Sequence, residues 1–232
     1  MIKKVRLLFT VILLFLPIIK ADISLDPLLD KEYNLGDQIQ VSGYILSATN
    51  QQSNLKISLG CEAEKVQLFS RYINVKANTK FPFSEFLVIP QSANGKCNVI
   101  AEFLTDFAGT DFFDITKNLN GKFSLTPGDV QLGDSVKLTG TVTKLNNEKV
   151  NGFATVYVKQ ENNTFFTDQG KIEEGQLNFL YTPSSILGGV YSIDILASDI
   201  YGNQFLFENA ATLRIYDKLV VSATLDKLQL LP

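Results

Sequence analysis

The chain predicts an all-β fold in which one sheet-forming unit is written twice behind an N-terminal export segment. Three observations lead there. The first residues are charged and then apolar, the remainder has strand-and-turn composition, and a set of markers recurs after about one hundred residues.

Lys3, Lys4 and Arg6 form a charged start, and Leu7 to Ile19 is an apolar run of thirteen interrupted only by Thr10 and Pro17. Such a run is short for a spanning helix, which needs about 20 apolar residues. Ile19-Lys20-Ala21 offers a small residue at a cleavage point, so residues 1–21 read as a signal peptide. The alternative is an uncleaved N-terminal anchor helix, because Ile19 and Lys20 are poor residues ahead of the cut. No Cys follows the run, so a lipoprotein anchor is not indicated. Cleavage after Ala21 removes four positive charges and takes the net charge from −3 to −7. Either way the rest of the chain faces outward, at the cell surface or beyond it, and meets a membrane only through an uncleaved leader.

The 232 residues suffice for two domains of about 100 residues each. Val, Ile, Thr and aromatics recur in short runs between Gly, Asn and Asp, the pattern of half-buried strands and turns. The chain contains no histidine. Ser-His-Asp and Cys-His nucleophilic sites and the usual zinc sites therefore cannot be built from it. Carboxylate-only or lysine-based chemistry stays open, but the commonest general base is missing. Neither a cofactor nor a metal is expected, and the reading is non-enzymatic. With a net charge of −3 and no basic patch interleaved with aromatics, nucleic acid is not the expected partner.

The repeat opens with Leu35-Gly36-Asp37-Gln38-Ile39-Gln40-Val41-Ser42-Gly43 and returns as Leu132-Gly133-Asp134-Ser135-Val136-Lys137-Leu138-Thr139-Gly140, at an offset of 97. Gly-Asp makes a tight turn, and the alternation after it turns one strand face into a core. The closing glycine marks a bulge or a close backbone approach. A second block places Pro90, Gly95, Asp106 and Gly109 against Pro183, Gly188, Asp199 and Gly202 at an offset of 93. Asp-x-x-Gly reads as a hairpin turn into a last strand, Thr110 to Ile115 in one copy and Gln204 to Ile215 in the other. Between them Tyr191, Ile193, Ile195 and Ala197 alternate inward. That offset carries the face to Asn98, Ile100, Glu102 and Leu104, whereas Cys97, Val99, Ala101 and Phe103 make a better core face. A bulge or a one-residue register shift is expected.

These boundaries give a first domain over 22–118, a linker of roughly Lys117 to Lys122 and a second domain over 122–217. So short a linker suggests domains stacked end to end as a stalk. In 218–232, Leu225-Asp226-Lys227 followed by Leu231 repeats Leu29-Asp30-Lys31 followed by Leu35, which reads as the start of a third repeat or an extra edge strand.

The strand opened by Gly-Asp, the later Pro-x4-Gly and the Asp-x-x-Gly-Asn resemble bacterial and archaeal immunoglobulin-like modules of surface proteins, close to macroglobulin-like and fibronectin-type sandwiches. The second copy matches most fully, in Gly188-Gly189-Val190-Tyr191 and Asp199-Ile200-Tyr201-Gly202-Asn203. The first departs, with Lys96-Cys97 for Val-Tyr and Ala108-Gly109-Thr110 for Tyr-Gly-Asn. The resemblance covers about residues 22–216. It implies two tandem immunoglobulin-like antiparallel β-sandwiches of about seven strands each, and it is compatible with stalks, adhesins and enzyme accessories alike. In such a sandwich Cys61 and Cys97 end and begin neighbouring antiparallel strands, and in an exported chain an even cysteine count favours a disulfide between them.

Other candidates have plainer readings beside them. Asp106, Asp111, Asp114 and Asp199 sit at hairpins, where Asp caps turns more often than it binds Ca²⁺. Asn162-Asn163-Thr164 is a glycosylation sequon in an exported chain. Glu173 and Glu174 precede Gly175 at a hairpin and read as solvated. Phe112-Phe113 and Phe165-Phe166 break alternation and mark either a binding surface or bulges. The function expected is a non-catalytic surface protein of stalk or adhesin type with an unspecified protein or glycan partner. The alternatives are the accessory region of a longer secreted enzyme and a glycan- or protein-binding adhesin proper.

Overall fold

The computed structural model describes residues 21–217 apart from Ala63, Asn162 and Ser185. The leader over 1–20, the sequon's Asn162 and the segment 218–232 lie outside the described residues. Ala21, placed at the leader's cut, is the buried first residue of a strand.

Every regular element among the described residues is a strand. The first unit holds β1 (Ala21–Leu25), β2 (Glu32–Asn34), β3 (Gln38–Ser47), β4 (Gln51–Cys61), β5 (Lys65–Val75), β6 (Phe81–Val88), β7 (Gly95–Phe103), β8 (Asp106–Gly109) and β9 (Phe113–Thr116). The second holds β10 (Asn120–Thr126), β11 (Asp129–Gln131), β12 (Val136–Thr143), β13 (Gly152–Gln160), β14 (Asn163–Glu173), β15 (Gln176–Tyr181), β16 (Gly189–Asp199) and β17 (Gln204–Tyr216). Their pairing orders correspond strand for strand. One layer is β1-β3-β6 in the first unit and β10-β12-β15 in the second; the other is β2-β9-β7-β4-β5 and β11-β17-β16-β13-β14. In the second unit the hairpin pairs Ile172 with Leu177 and Glu173 with Gln176, so β14 runs on into β15 and links the layers into one sheet. Each unit closes its own core, one around Leu35, Ile57, Val99 and Phe103, the other around Leu138, Val156, Ile195 and Leu213.

The opening strand of each unit is split. β1 pairs antiparallel with β3, and after Asp26-Pro27 the chain crosses to the other layer, where β2 lies parallel to β9. β10, β11 and β17 repeat the arrangement around Thr126-Pro127. Proline carries no amide hydrogen for the ladder, which is why the strand breaks there. β8 and β9 likewise divide one final run along β7. Counting each split run once gives seven runs per unit among the described residues, and the short parallel pairs are the departure from a purely antiparallel expectation.

Leu-Gly-Asp is a turn built twice. The Asp37 carboxylate accepts the Asn34 N–H at 2.7 Å, and the Asp37 N–H returns to the Asn34 carbonyl at 3.2 Å. Asp134 and Gln131 repeat both bonds at 3.1 and 3.0 Å. Gly36 and Gly133 take φ of 78° and 97°, the left-handed region where a Cβ is strained. Their amides reach across to the carbonyls of Ile89 and Pro183 beyond β6 and β15. The glycines closing the motif, Gly43 and Gly140, serve close approach and not bulges. A Cβ on Gly43 would stand 2.1 Å from the Ser24 carbonyl oxygen, and one on Gly140 would stand 2.2 Å from the Phe123 ring.

Three sequence boundaries move. Leu119 is buried in the second core, Asn120 opens β10 and the Lys117 carbonyl accepts from Gln204, so the expected linker belongs to the second unit, which begins at Lys117. The alternation Leu119, Gly121, Phe123, Leu125 was the overlooked strand signal. The later block corresponds at 94 residues and not 93: Gly95 pairs with Ile115 as Gly189, not Gly188, pairs with Ile215. That one-residue shift resolves the face question, and Cys97, Val99, Ala101 and Phe103 are fully buried. Finally, Asp106 and Asp199 are not equivalent. In the first unit Leu104-Thr105 make the turn and Asp106 already pairs with Phe103, with Gly109 inside β8. In the second, Asp199 starts a longer loop that ends where Gln204 pairs with Ser198.

Candidate functional site

The cysteines stand directly opposite each other on β4 and β7, where antiparallel neighbours come close, and their sulfurs are bonded with a Cα–Cα distance of 4.1 Å. By register, Gln160 and Tyr191 occupy this place in the second unit: Leu59 faces Val99 two residues before Cys61, as Val158 faces Ile193 two residues before Gln160. Tyr191 is buried, its hydroxyl donates to the Leu187 carbonyl at 2.7 Å, and burial raises its pKa, with Asp217 adding to the effect.

The remaining sequence candidates scatter. Asp106 accepts the Ala21 N–H at 2.8 Å. Asp111 is exposed in the loop before β9, and Asp114 sits on β9 opposite Glu32 and Lys96. Asp199 caps its own loop: one carboxylate oxygen accepts the N–H groups of Tyr201 and Asn203, both at 2.9 Å, and the other accepts the Asn203 amide at 2.7 Å. No group of three acidic, His or Cys side chains among the described residues could hold a metal ion. Phe113 is core, edge-on to Tyr33, while Phe112 is exposed. Phe166 packs on Tyr181, and Phe165 is the extra residue of a bulge, because Val158 pairs with Phe166 and Lys159 with Thr164.

One constellation does gather in space, at the end of the second unit formed by the loop Lys144–Asn151, the β14–β15 hairpin and the loop Ile200–Asn203. Glu174 and Gly175 take positive φ, the twist a two-residue hairpin needs. The hairpin is tied to its neighbour by Glu174 N–H to Asn151 Oδ1 and Gly175 N–H to the Val150 carbonyl, both 2.8 Å. The Ile200 N–H binds the Asn151 carbonyl at 3.1 Å. Asn151 thus fastens both loops. The Lys144 side chain is 2% exposed; its ammonium meets Glu148 at 3.1 Å and lies 4.9 Å from the Tyr201 ring centre. Two clefts share Asn151 and Ile200. One, of about 100 Å³, includes Lys144, Glu148, Asp199 and Tyr201; the other, of about 410 Å³, includes Phe153, Lys171, Glu173 and Glu174.

Asp199 is saturated by backbone and amide donors and Glu148 pairs with buried Lys144, whereas Glu173 and its partner Lys171 are both about two-thirds exposed. Two apolar side chains stand exposed among these charged ones: Ile200, 62% exposed on its loop, and Phe153, 48% exposed near the start of β13. Sequence reading missed the cluster. Its only local trace is Lys144 four residues before Glu148, because Tyr201 comes from a distant loop.

A second buried charge was equally hidden. Asp194 sits on the outer face of β16, where its carboxylate accepts from Lys159 at 2.7 Å and from the Asn209 N–H at 2.8 Å. Burial alone would raise its pKa; the Lys159 hydrogen bond, the Asn209 amide and the Lys159 charge together bring it below the usual value. These bonds brace the bulge at which the β16–β17 register shifts between Ile193 and Ile195.

No family model matches the chain, and no curated protein is similar to it. Among solved structures, a β-glucosidase from Listeria innocua in complex with glucose is 14% identical over 42% of this chain and 16% of its own, with a TM-score of 0.35. The same enzyme with isofagomine is 13% identical over the same shares, with a TM-score of 0.36. A tetra-tandem repeat from the extending region of a large adhesion protein is 16% identical over 84% of this chain and 49% of its own, with a TM-score of 0.39. The chain thus spans under a fifth of the β-glucosidase and about half of the adhesion-protein structure.

Proposed function

We propose that the chain is an exported, non-catalytic surface protein whose two sandwiches form a structural or adhesive module. The observation that carries this reading is the Cys61–Cys97 bond within a sandwich that occurs twice behind a charged-then-apolar leader. Disulfides persist in oxidising compartments, and the second unit closes the same topology with Gln160 and Tyr191 in their place, so the bridge reflects location more than fold. The hydrogen-bonded loop carrying Ile200 and Tyr201, with exposed Phe153 beside it on β13, favours contact with another macromolecule over a purely passive stalk.

The test is to express the full chain in an exporting host and follow both its location and its thiols. The product is expected outside the cell, sensitive to added protease in intact cells, with no thiol titratable before reduction. A cytosolic product with two free thiols would overturn the reading. Glycan arrays and pull-downs with the wild-type chain and an Ile200→Ser, Phe153→Ser variant then separate an adhesin from a stalk.

A further inference from the structure

The two units carry equivalent strands with open backbone edges. Among the described residues β5 is the outermost strand of its layer and pairs only with β4. β14 pairs with β13 along its length and meets β15 only at Ile172 and Glu173, so its edge from Asn163 to Lys171 faces no strand among the described residues. An open edge presents unpaired N–H and C=O groups to any strand that can lie beside it. Each edge has one bulge, at Leu68 and at Phe165, which leaves a regular stretch from Phe69 to Val75 on β5 and from Phe166 to Lys171 on β14.

Charge divides these edges. Between 65 and 76 the only ionisable side chains besides Tyr72 are Lys65, Arg71 and Lys76, all cationic. Between 161 and 174 stand Glu161, Asp168, Glu173 and Glu174 with a single cation, Lys171. Lys65 and Arg71 already touch Glu102 and Glu85, and Lys171 touches Glu173, yet all three cations remain about half exposed or more. Two β5 edges would set cation against cation and two β14 edges carboxylate against carboxylate, which costs energy. A β5 edge beside a β14 edge sets opposite charges together.

We propose that the chain self-associates head to tail, the β5 edge of one copy adding to the β14 edge of a second copy. An antiparallel alignment that sets Arg71 against Asp168 lays Phe69 to Ile73 along Gly170 to Phe166 and brings Lys76 towards Glu161, and it ends short of Lys65, which lies past the Leu68 bulge where β15 already takes the edge. Arg71 lies opposite buried Leu55 and Asp168 opposite buried Val156, so both project to the core-side face of their sheets and meet on one face. The contact also covers Tyr72 and Phe165, exposed at 64% and 46%. Because the two surfaces differ, the contact is heterologous and not a self-complementary one. This deepens the surface-module reading by naming a second copy as a partner, but the geometry stands without it.

Sedimentation velocity on the purified full chain tests it. Average mass is expected to rise with protein concentration at low ionic strength and to fall when salt screens the edge charges. Asp168→Lys and Arg71→Glu, each checked for a native circular dichroism spectrum and melting, are each expected to weaken association about tenfold or more. The double variant with both charges exchanged is expected to recover it. A wild-type chain that is monomeric at every concentration in low salt overturns the proposal, whatever the variants do. So does association that Asp168→Lys leaves unchanged, or a folded double variant that stays dispersed. A monomeric chain that is nonetheless exported and oxidised leaves the surface-module reading in place.

Discussion

Replacing both cysteines by alanine should loosen the first unit and leave the second untouched. The bridge closes a loop with a sequence separation of 36. Loop-closure entropy for that length gives about 4 kcal/mol at 25 °C, and removing a native disulfide from a small domain costs about 2–5 kcal/mol. Cys97 is fully buried, so the Cys61→Ala, Cys97→Ala variant also loses packing between β4 and β7. Domains of this size have urea m-values of about 1–3 kcal/mol per molar, so the unfolding midpoint should fall by roughly 2 M. The chain has no tryptophan, and a bulk optical signal would blend the units. Hydrogen exchange read by mass spectrometry across a urea series separates them, because peptides from β4 and β7 report one core and those from β13 and β16 the other. Protection in the first unit should collapse earlier and that in the second should not move. If both sets shift together, or if the first unit holds its midpoint, then the bridge does not act through the core it spans and the reasoning fails.

The same measurement reads three further changes. Gly133→Ala introduces a Cβ that meets nothing within 4 Å, so its cost is backbone strain alone, about 1–2 kcal/mol, confined to the second unit. Gly43→Ala meets the Ser24 carbonyl at 2.1 Å and must push β1 away from β3; about 1–3 kcal/mol is expected, with faster exchange in β1 peptides first. Asp194 has a lowered folded-state pKa, so the stability it contributes is present above its unfolded value near 4 and is lost as pH falls through the folded value. The midpoint of the second unit should therefore drop on acidification below about pH 4. Asp194→Asn should be weaker at neutral pH and show a flatter acid response; an unchanged acid slope in that variant would remove Asp194 from the account.

Much of the architecture was legible because strand period and turn chemistry are local. The Gly-Asp turns, the alternation after them and the inward set of Cys97, Val99, Ala101 and Phe103 follow from side chains within a few residues of each other. Two of the misreadings share one cause: similar residues were matched without knowing their partners. Gly188 and Gly189 are adjacent glycines, and only pairing with Ile215 shows which of them corresponds to Gly95. Asp106 and Asp199 share a spacing with their glycines, yet one follows a two-residue turn and the other begins a longer loop. The segment taken for a linker looked polar because Asn118, Asn120 and Lys122 alternate with the residues that face the core.

The candidate site was almost invisible in the sequence. Lys144, Asn151, Phe153, Glu174 and Ile200 come from three separated stretches, and nothing in any one of them signals the others. The same holds for Lys159 and Asp194, thirty-five residues apart.

That the chain forms sheets, that it does so twice, and which face of most strands turns inward can all be read along the backbone, since each rests on near neighbours. Which residues oppose each other across strands, which loops converge at one end and which strand edges stay open emerge only in three dimensions. Those outcomes depend on register, and register is set by a whole core closing at once.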